Sequence, residues 1–207
     1  MVEKRKTKRE IKTEQTRESI IRAGVKLFRK YGFEGTAIQD ICEEAGVSVG
    51  SLYHLFPSKH AIMECVLKDV QGFYDLTQSF DYATVDPLTI IRQSADNFVK
   101  LVEDVGADTV YEALFSSPSG NKTMFYNERS NVVWTKIHLE GLQEAGRIPA
   151  DVDIDHIVQL ITASGIGLFY ADYTMERLDS FRQDLTEVTW SLFLEATDPR
   201  KQHLRGK

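Results

Sequence analysis

Thr36–Lys59 reads TAIQDICEEAGVSVGSLYHLFPSK, and its punctuation decides the fold. Thr36 is an N-cap residue and Gln39 follows three positions later, the spacing of a capping box that satisfies the first free amides of a helix. Ile38, Ile41, Cys42 and Ala45 then fall on one helical face. Gly46 ends that helix, because glycine enters the left-handed conformation of a C-cap without a steric penalty. Ser48 opens a second, short helix, and Pro57 closes it by forcing the preceding residue out of the α region. Two helices joined by so tight a glycine turn cross steeply, which is the geometry of a helix-turn-helix.

The second helix is anchored by Val47, Leu52 and Phe56, leaving Val49, Gly50, Ser51 and His54 to face outward. Small side chains let a helix sink into the major groove, where a serine bonds to base edges or phosphates and a valine touches a thymine methyl. Ser48, Tyr53, His54 and Lys59 carry donors suited to phosphate oxygens, and so do the amides of the helix opened by Ser58. The same shape also serves as a scaffolding corner in proteins that bind no DNA, and spacing alone does not separate the two readings.

Phe28, Tyr31-Gly32-Phe33, Thr36, Ile41, Ala45-Gly46-Val47-Ser48, Gly50-Ser51-Leu52-Tyr53, Phe56 and Ser58-Lys59 together resemble the DNA-binding domain of the TetR/AcrR family of bacterial transcriptional regulators. The match is dense over residues 14 to 62, and the remainder fits only in length and helical character. The resemblance places Thr36, Ser48, Gly50, Ser51, Tyr53, His54 and Lys59 at the DNA, and the outward face adds Val49. Leu55 departs from the pattern, since the family often has an aromatic residue or histidine there.

Charge supports the same division. The chain of 207 residues carries a formal charge of -6, yet residues 1–60 hold 12 Lys and Arg against 8 Asp and Glu, whereas residues 61–207 hold 13 against 23. A basic reading head on an acidic body follows. Lys4, Arg5, Lys6, Lys8, Arg9 and Lys12 read as a basic arm over residues 1–13, suited to phosphates or the minor groove. Cys42 and Cys65 read as reduced thiols on core faces, and the five histidines form no metal-binding motif. No uncharged apolar run reaches the ~20 residues of a membrane helix and no signal peptide is visible, so a cytoplasmic protein without cofactor is expected.

Helical periodicity continues along the chain, and the expected fold is all-α: a three-helix head over residues 14–60, a helical effector-binding and dimerisation domain over 61–198, and a tail over 199–207. Glu14–Tyr31 supplies the third wall of the head. A helix from Ser58 to about Thr77 starts at the DNA and runs into the body as a lever. Further helices are expected over Leu88–Val105, Ala107–Phe115, Asn121–Ala145, Asp155–Tyr173 and Phe181–Ala196, with Pro87 at a helix start. Residues Ile157 to Ala171 carry no charge, and such a helix needs cover on more than one side. With the last helix it suggests a two-fold four-helix interface between two copies of the chain.

The middle of the chain is rich in aromatic residues. Phe98, Tyr111, Phe115, Phe125, Trp134, His138, Phe169 and Tyr170 are candidates to line an apolar effector pocket, with Glu112 and Asn97 as further polar markers. The family resemblance implies a pocket among these helices and a dimeric repressor released from its operator by a small ligand. Two other classes stay open. A ligand-independent architectural DNA-binding protein would share the head, whereas an enzyme using the pocket would need a nucleophile–base or paired-carboxylate pattern that the sequence does not display.

Overall fold

The computed structural model describes residues 7–71, 79–117, 130–198 and 200. These contain helices and turns, with no strand among the described residues. Two compact units emerge, Met1–Val70 with Val102–Met124, and Gln71–Leu101 with Phe125–Lys207.

The first unit begins with α1, Lys8–Tyr31. It starts well before Glu14, because Thr7 and Glu10 form a capping box: the Glu10 N–H donates to Thr7 Oγ1 at 3.2 Å and the Thr7 N–H to Glu10 Oε2 at 2.7 Å. The part of the expected arm from Lys8 to Lys12 is therefore helix. Apolar periodicity was blind to these turns, since Ile11 is their one large apolar residue and it is 45% exposed. Further on, Ile20, Leu27 and Phe28 turn inward. Gly24 lets α4, Lys59–Gln71, lie close against α1: a Cβ there would stand 3.0 Å from Val66 Cγ2 and 3.1 Å from Ile62 Cγ2.

Between them lie α2, Ile38–Ala45, and α3, Val49–Leu55. The unit also takes in residues distant in sequence: the end of α5 (Pro87–Val105), α6 (Ala107–Tyr111) and a π-helical turn, Glu112–Ser116. Gly32, at φ 72° where α1 ends, shows how tightly they fit, since a Cβ there would stand 2.6 Å from Asp108 Oδ2.

The second unit holds the rest of α5 with α7 (Asn131–Glu144), α8 (Ile154–Thr174) and α9 (Phe181–Thr197). Asp153 caps α8 by accepting from the His156 N–H at 3.0 Å. One buried core joins Ile90 and Ile91 of α5, Trp134, Leu139 and Leu142 of α7, Ile157, Val158 and Ile161 of α8, and Phe193 and Ala196 of α9. Between α5 and α7 the Ser94 and Thr135 hydroxyls lie 2.7 Å apart, and Asn131 Nδ2 donates to the Ser94 carbonyl at 2.8 Å, so the buried polar atoms of this seam are paired. Ile154–Thr174 has the length and composition of a membrane span, a character that the run of uncharged residues alone did not reach. Only 33% of its most apolar window is buried within the chain. The expected stretches Asn121–Arg129 and Gly72–Thr77 lie outside the described residues.

Candidate functional site

In the turn at Gly46, the residue takes φ 67° and ψ 36°, and the Val47 N–H donates to the Cys42 carbonyl at 3.0 Å, closing α2. Ser48 then caps α3, its Oγ accepting from the Ser51 N–H at 3.1 Å. Leu52 and Phe56, 0% and 2% exposed, bind α3 to the head. Ser48, Val49, Gly50, Ser51, Tyr53 and His54 are all exposed on the opposite side. The face is small at its start, where the ideal Cβ of Gly50 meets nothing nearer than Ser48 Oγ at 4.0 Å, and it ends in the half-exposed Tyr53 ring.

Two expected contact residues are placed otherwise. Thr36 is 1% exposed, and its hydroxyl donates to the Gly32 carbonyl at 2.8 Å. It does not cap α2: Ala37 holds the N-cap position, and its N–H donates to Asp40 Oδ2 at 2.9 Å. The capping pair therefore sits one residue later than Thr36 and Gln39, because the Thr36 side chain is occupied by the end of α1.

Lys59 also turns inward. Its Nζ donates to the Phe33 carbonyl at 2.7 Å and the Thr36 carbonyl at 3.1 Å, and stands 4.1 Å from the centre of the Phe33 ring. The ammonium thus fastens the segment between α1 and α2 to the start of α4. Sequence spacing could not find this role, since a lysine after a recognition helix reads equally well as a phosphate contact.

Other supports escaped the sequence reading. Arg17 lies over the Phe56 ring at 5.0 Å from its centre and donates to Cys65 Sγ at 3.0 Å. Cys65 is only partly buried, against the expectation of a core thiol, while burial raises the thiol pKa of Cys42. His60 Nε2 and Glu112 Oε1 are 3.1 Å apart, and the Phe33 ring packs on His60 at 4.8 Å.

The proposed effector residues fall into separate groups. Tyr111 and Phe115 pair at 5.0 Å within the first unit. In the second unit Phe98 meets Phe169 at 5.9 Å. Trp134 packs against His138 at 4.2 Å in a different cluster, where His138 Nδ1 and the Tyr82 hydroxyl are 2.7 Å apart. Burial holds the His138 imidazole below its ordinary pKa. Tyr170 is 47% exposed on α8, and Phe125 lies outside the described residues.

Residues 20–66, which span the end of α1 through most of α4, match the sequence profile described as "Bacterial regulatory proteins, tetR family". This head is similar to that of the tetR family. Among tetR-family relatives, the chain is 28% identical over 152 residues to the HTH-type transcriptional repressor KstR2 of Mycolicibacterium smegmatis, covering 70% of this chain and 73% of the relative. It is 26% identical over 206 residues to the HTH-type transcriptional regulator RutR of Escherichia coli, covering 89% and 91%. The fold is similar to that of SmeT, repressor of the Stenotrophomonas maltophilia multidrug efflux pump SmeDEF, at TM-score 0.64 and 18% identity, over 90% of this chain and 93% of that one. A tetR-family head with an exposed α3 makes the protein a DNA-binding transcriptional regulator, and its relatives are regulators rather than enzymes.

Proposed function

We propose that the protein is a dimeric repressor that reads duplex DNA with the exposed face of α3 and leaves it when a small hydrophobic or aromatic effector binds. The observation that carries the reading is α3 itself, held from behind by Leu52 and Phe56 and presenting Val49, Gly50, Ser51, Tyr53 and His54 to solvent. Ser51 and Val49 read bases, and Tyr53, His54 and Ser48 position the helix on phosphates. Thr36 and Lys59 support that surface from within.

Two copies joined through α8 and α9 would set their α3 helices about one duplex turn apart, ~34 Å, in successive major grooves. Support comes from the half-exposed Tyr170 and Leu194, and from Gly167, where an added Cβ would meet nothing within 4 Å of it in the single chain. In this reading residues 14–60 form the head, 61–198 the effector and dimerisation part, and the protein works in the cytoplasm on DNA. An effector coupling of about 1–3 kcal/mol lowers operator affinity by roughly five- to 150-fold, enough for derepression.

The test is a footprint of the full chain on the DNA upstream of its own coding sequence, with affinity followed against salt. Two protected half-sites with centres one turn apart, and a steep salt dependence, are the expected result. A monomer, or a chain that ignores every duplex at low salt, overturns the proposal.

A further inference from the structure

The second unit contains an aromatic group, and the helix face that supplies one of its rings also carries a buried carboxylate. Phe98 of α5, Phe169 of α8 and Phe181 of α9 meet pairwise, with ring centres 5.6 Å apart for Phe98–Phe181 and 5.9 Å for the other two pairs. Tyr173 stacks on Phe169 at 5.8 Å. Gly165, Phe169 and Asp172 share one face of α8 by helical spacing. Gly165 shows where that face looks: its ideal Cβ stands 3.4 Å from Leu185 Cδ1 and 3.5 Å from Phe98 Cδ1. Asp172 continues the face toward the end of the helix.

Asp172 is 3% exposed. Arg177 Nη2 approaches its Oδ1 no closer than 3.5 Å, from a side chain that is itself 62% exposed. Oδ2 is sealed from solvent and has no hydrogen-bond partner among the described residues. An ionised carboxylate in that state is costly to bury. By contrast, the polar groups whose types had suggested ligand contacts are engaged internally: Asn97 donates to Asn131 at 3.1 Å, and Glu112 pairs with His60.

We propose that Asp172 is the acceptor for an effector bearing a protonated amine or amidine on an apolar body, seated against Phe98, Phe169 and Phe181. Aromatic faces attract a cation, and a charge-assisted hydrogen bond to Oδ2 satisfies the orphaned oxygen. A neutral ligand leaves that oxygen bare, and a carboxylic acid adds a like charge beside it. This assignment rests on the effector-released repressor reading above and names the ligand class for it.

The experiment compares phenethylamine, phenethyl alcohol and phenylacetate by thermal shift and titration on the full chain, with Asp172→Asn and Arg177→Ala alongside. The amine binds about tenfold or more tightly than the alcohol, the advantage expected of a charge-assisted bond, and the acid raises Tm least. Asp172→Asn keeps or raises the Tm of the unliganded protein and erases the amine's advantage. Equal amine and alcohol affinities in the unaltered chain overturn the assignment whether or not the variants fold. So do equal Tm losses in Asp172→Asn and Arg177→Ala, which would make the carboxylate no more than the arginine's partner. Duplex binding by the unliganded chain is measured in parallel. If it persists while amine preference is absent, Asp172 is refuted alone; if it is absent while the preference holds, the repressor reading fails and the binding site stands.

Discussion

Replacing Lys59 by alanine separates two roles that would both weaken DNA binding. The side chain donates to two carbonyls, those of Phe33 at 2.7 Å and Thr36 at 3.1 Å, and rests on the Phe33 ring. Hydrogen bonds to a charged group contribute roughly 1.5–3 kcal/mol each, and a partly exposed cation–π contact about 0.5–1 kcal/mol. With Lys59 partly open to solvent, the lower ends apply, and a total loss on the order of 3 kcal/mol is expected. For a chain of this length that lowers Tm by roughly 6–12 °C. Thermal unfolding at fixed protein concentration measures it. The DNA side of the assay is the slope of log affinity against log salt. A lost phosphate contact reduces the slope by about 0.9, whereas a loosened head lowers affinity and leaves the slope in place. Unchanged Tm together with a reduced slope would refute the internal role and return Lys59 to the phosphate backbone.

Gly32→Ala should destabilise by about 2–4 kcal/mol, because φ 72° with ψ 172° is a glycine conformation and Asp108 occupies the space of a Cβ. Adding Asp108→Ala should recover the steric part and not the backbone part; urea unfolding decides, and an unchanged midpoint for Gly32→Ala sinks the argument. Gly167→Glu should leave the chain folded, since open space surrounds that position, but hold it as a monomer in sedimentation. A persistent dimer would place the interface elsewhere. His138 has a folded-state pKa below its ordinary 6.5, so the unfolded chain binds the proton more readily. Its contribution to stability is complete above pH 6.5 and declines as the pH falls below that value toward the folded pKa. Tm measured against pH should slope less steeply on the acid side in His138→Gln, and parallel curves would contradict the assignment.

Much of the head could be read from short-range signals. Gly46 and Ser48 specify the turn and the next cap through their own backbone and side-chain chemistry, and Leu52 and Phe56 fall on the buried side as helical spacing requires. These are interactions between residues a few positions apart, and the sequence alone suffices for them. The same holds for the all-α class, which follows from helical periodicity in α1, α2 and α9. The capping of α2 was off by one residue because the Thr36 hydroxyl has a competing acceptor at Gly32, a preference that depends on the turn already being folded.

What only the tertiary structure decided involves partners far apart in the chain. Asp108 and Glu112 join the first unit by meeting Gly32 and His60, yet nothing in their local sequence marks them for it. Lys59 carries the same charge whether it faces a phosphate or two carbonyls, and Asp172 the same carboxylate whether it is open to water or buried. Residue type sets what a group can bind; packing sets which partner comes within reach, and the loss of water there makes an absent partner costly.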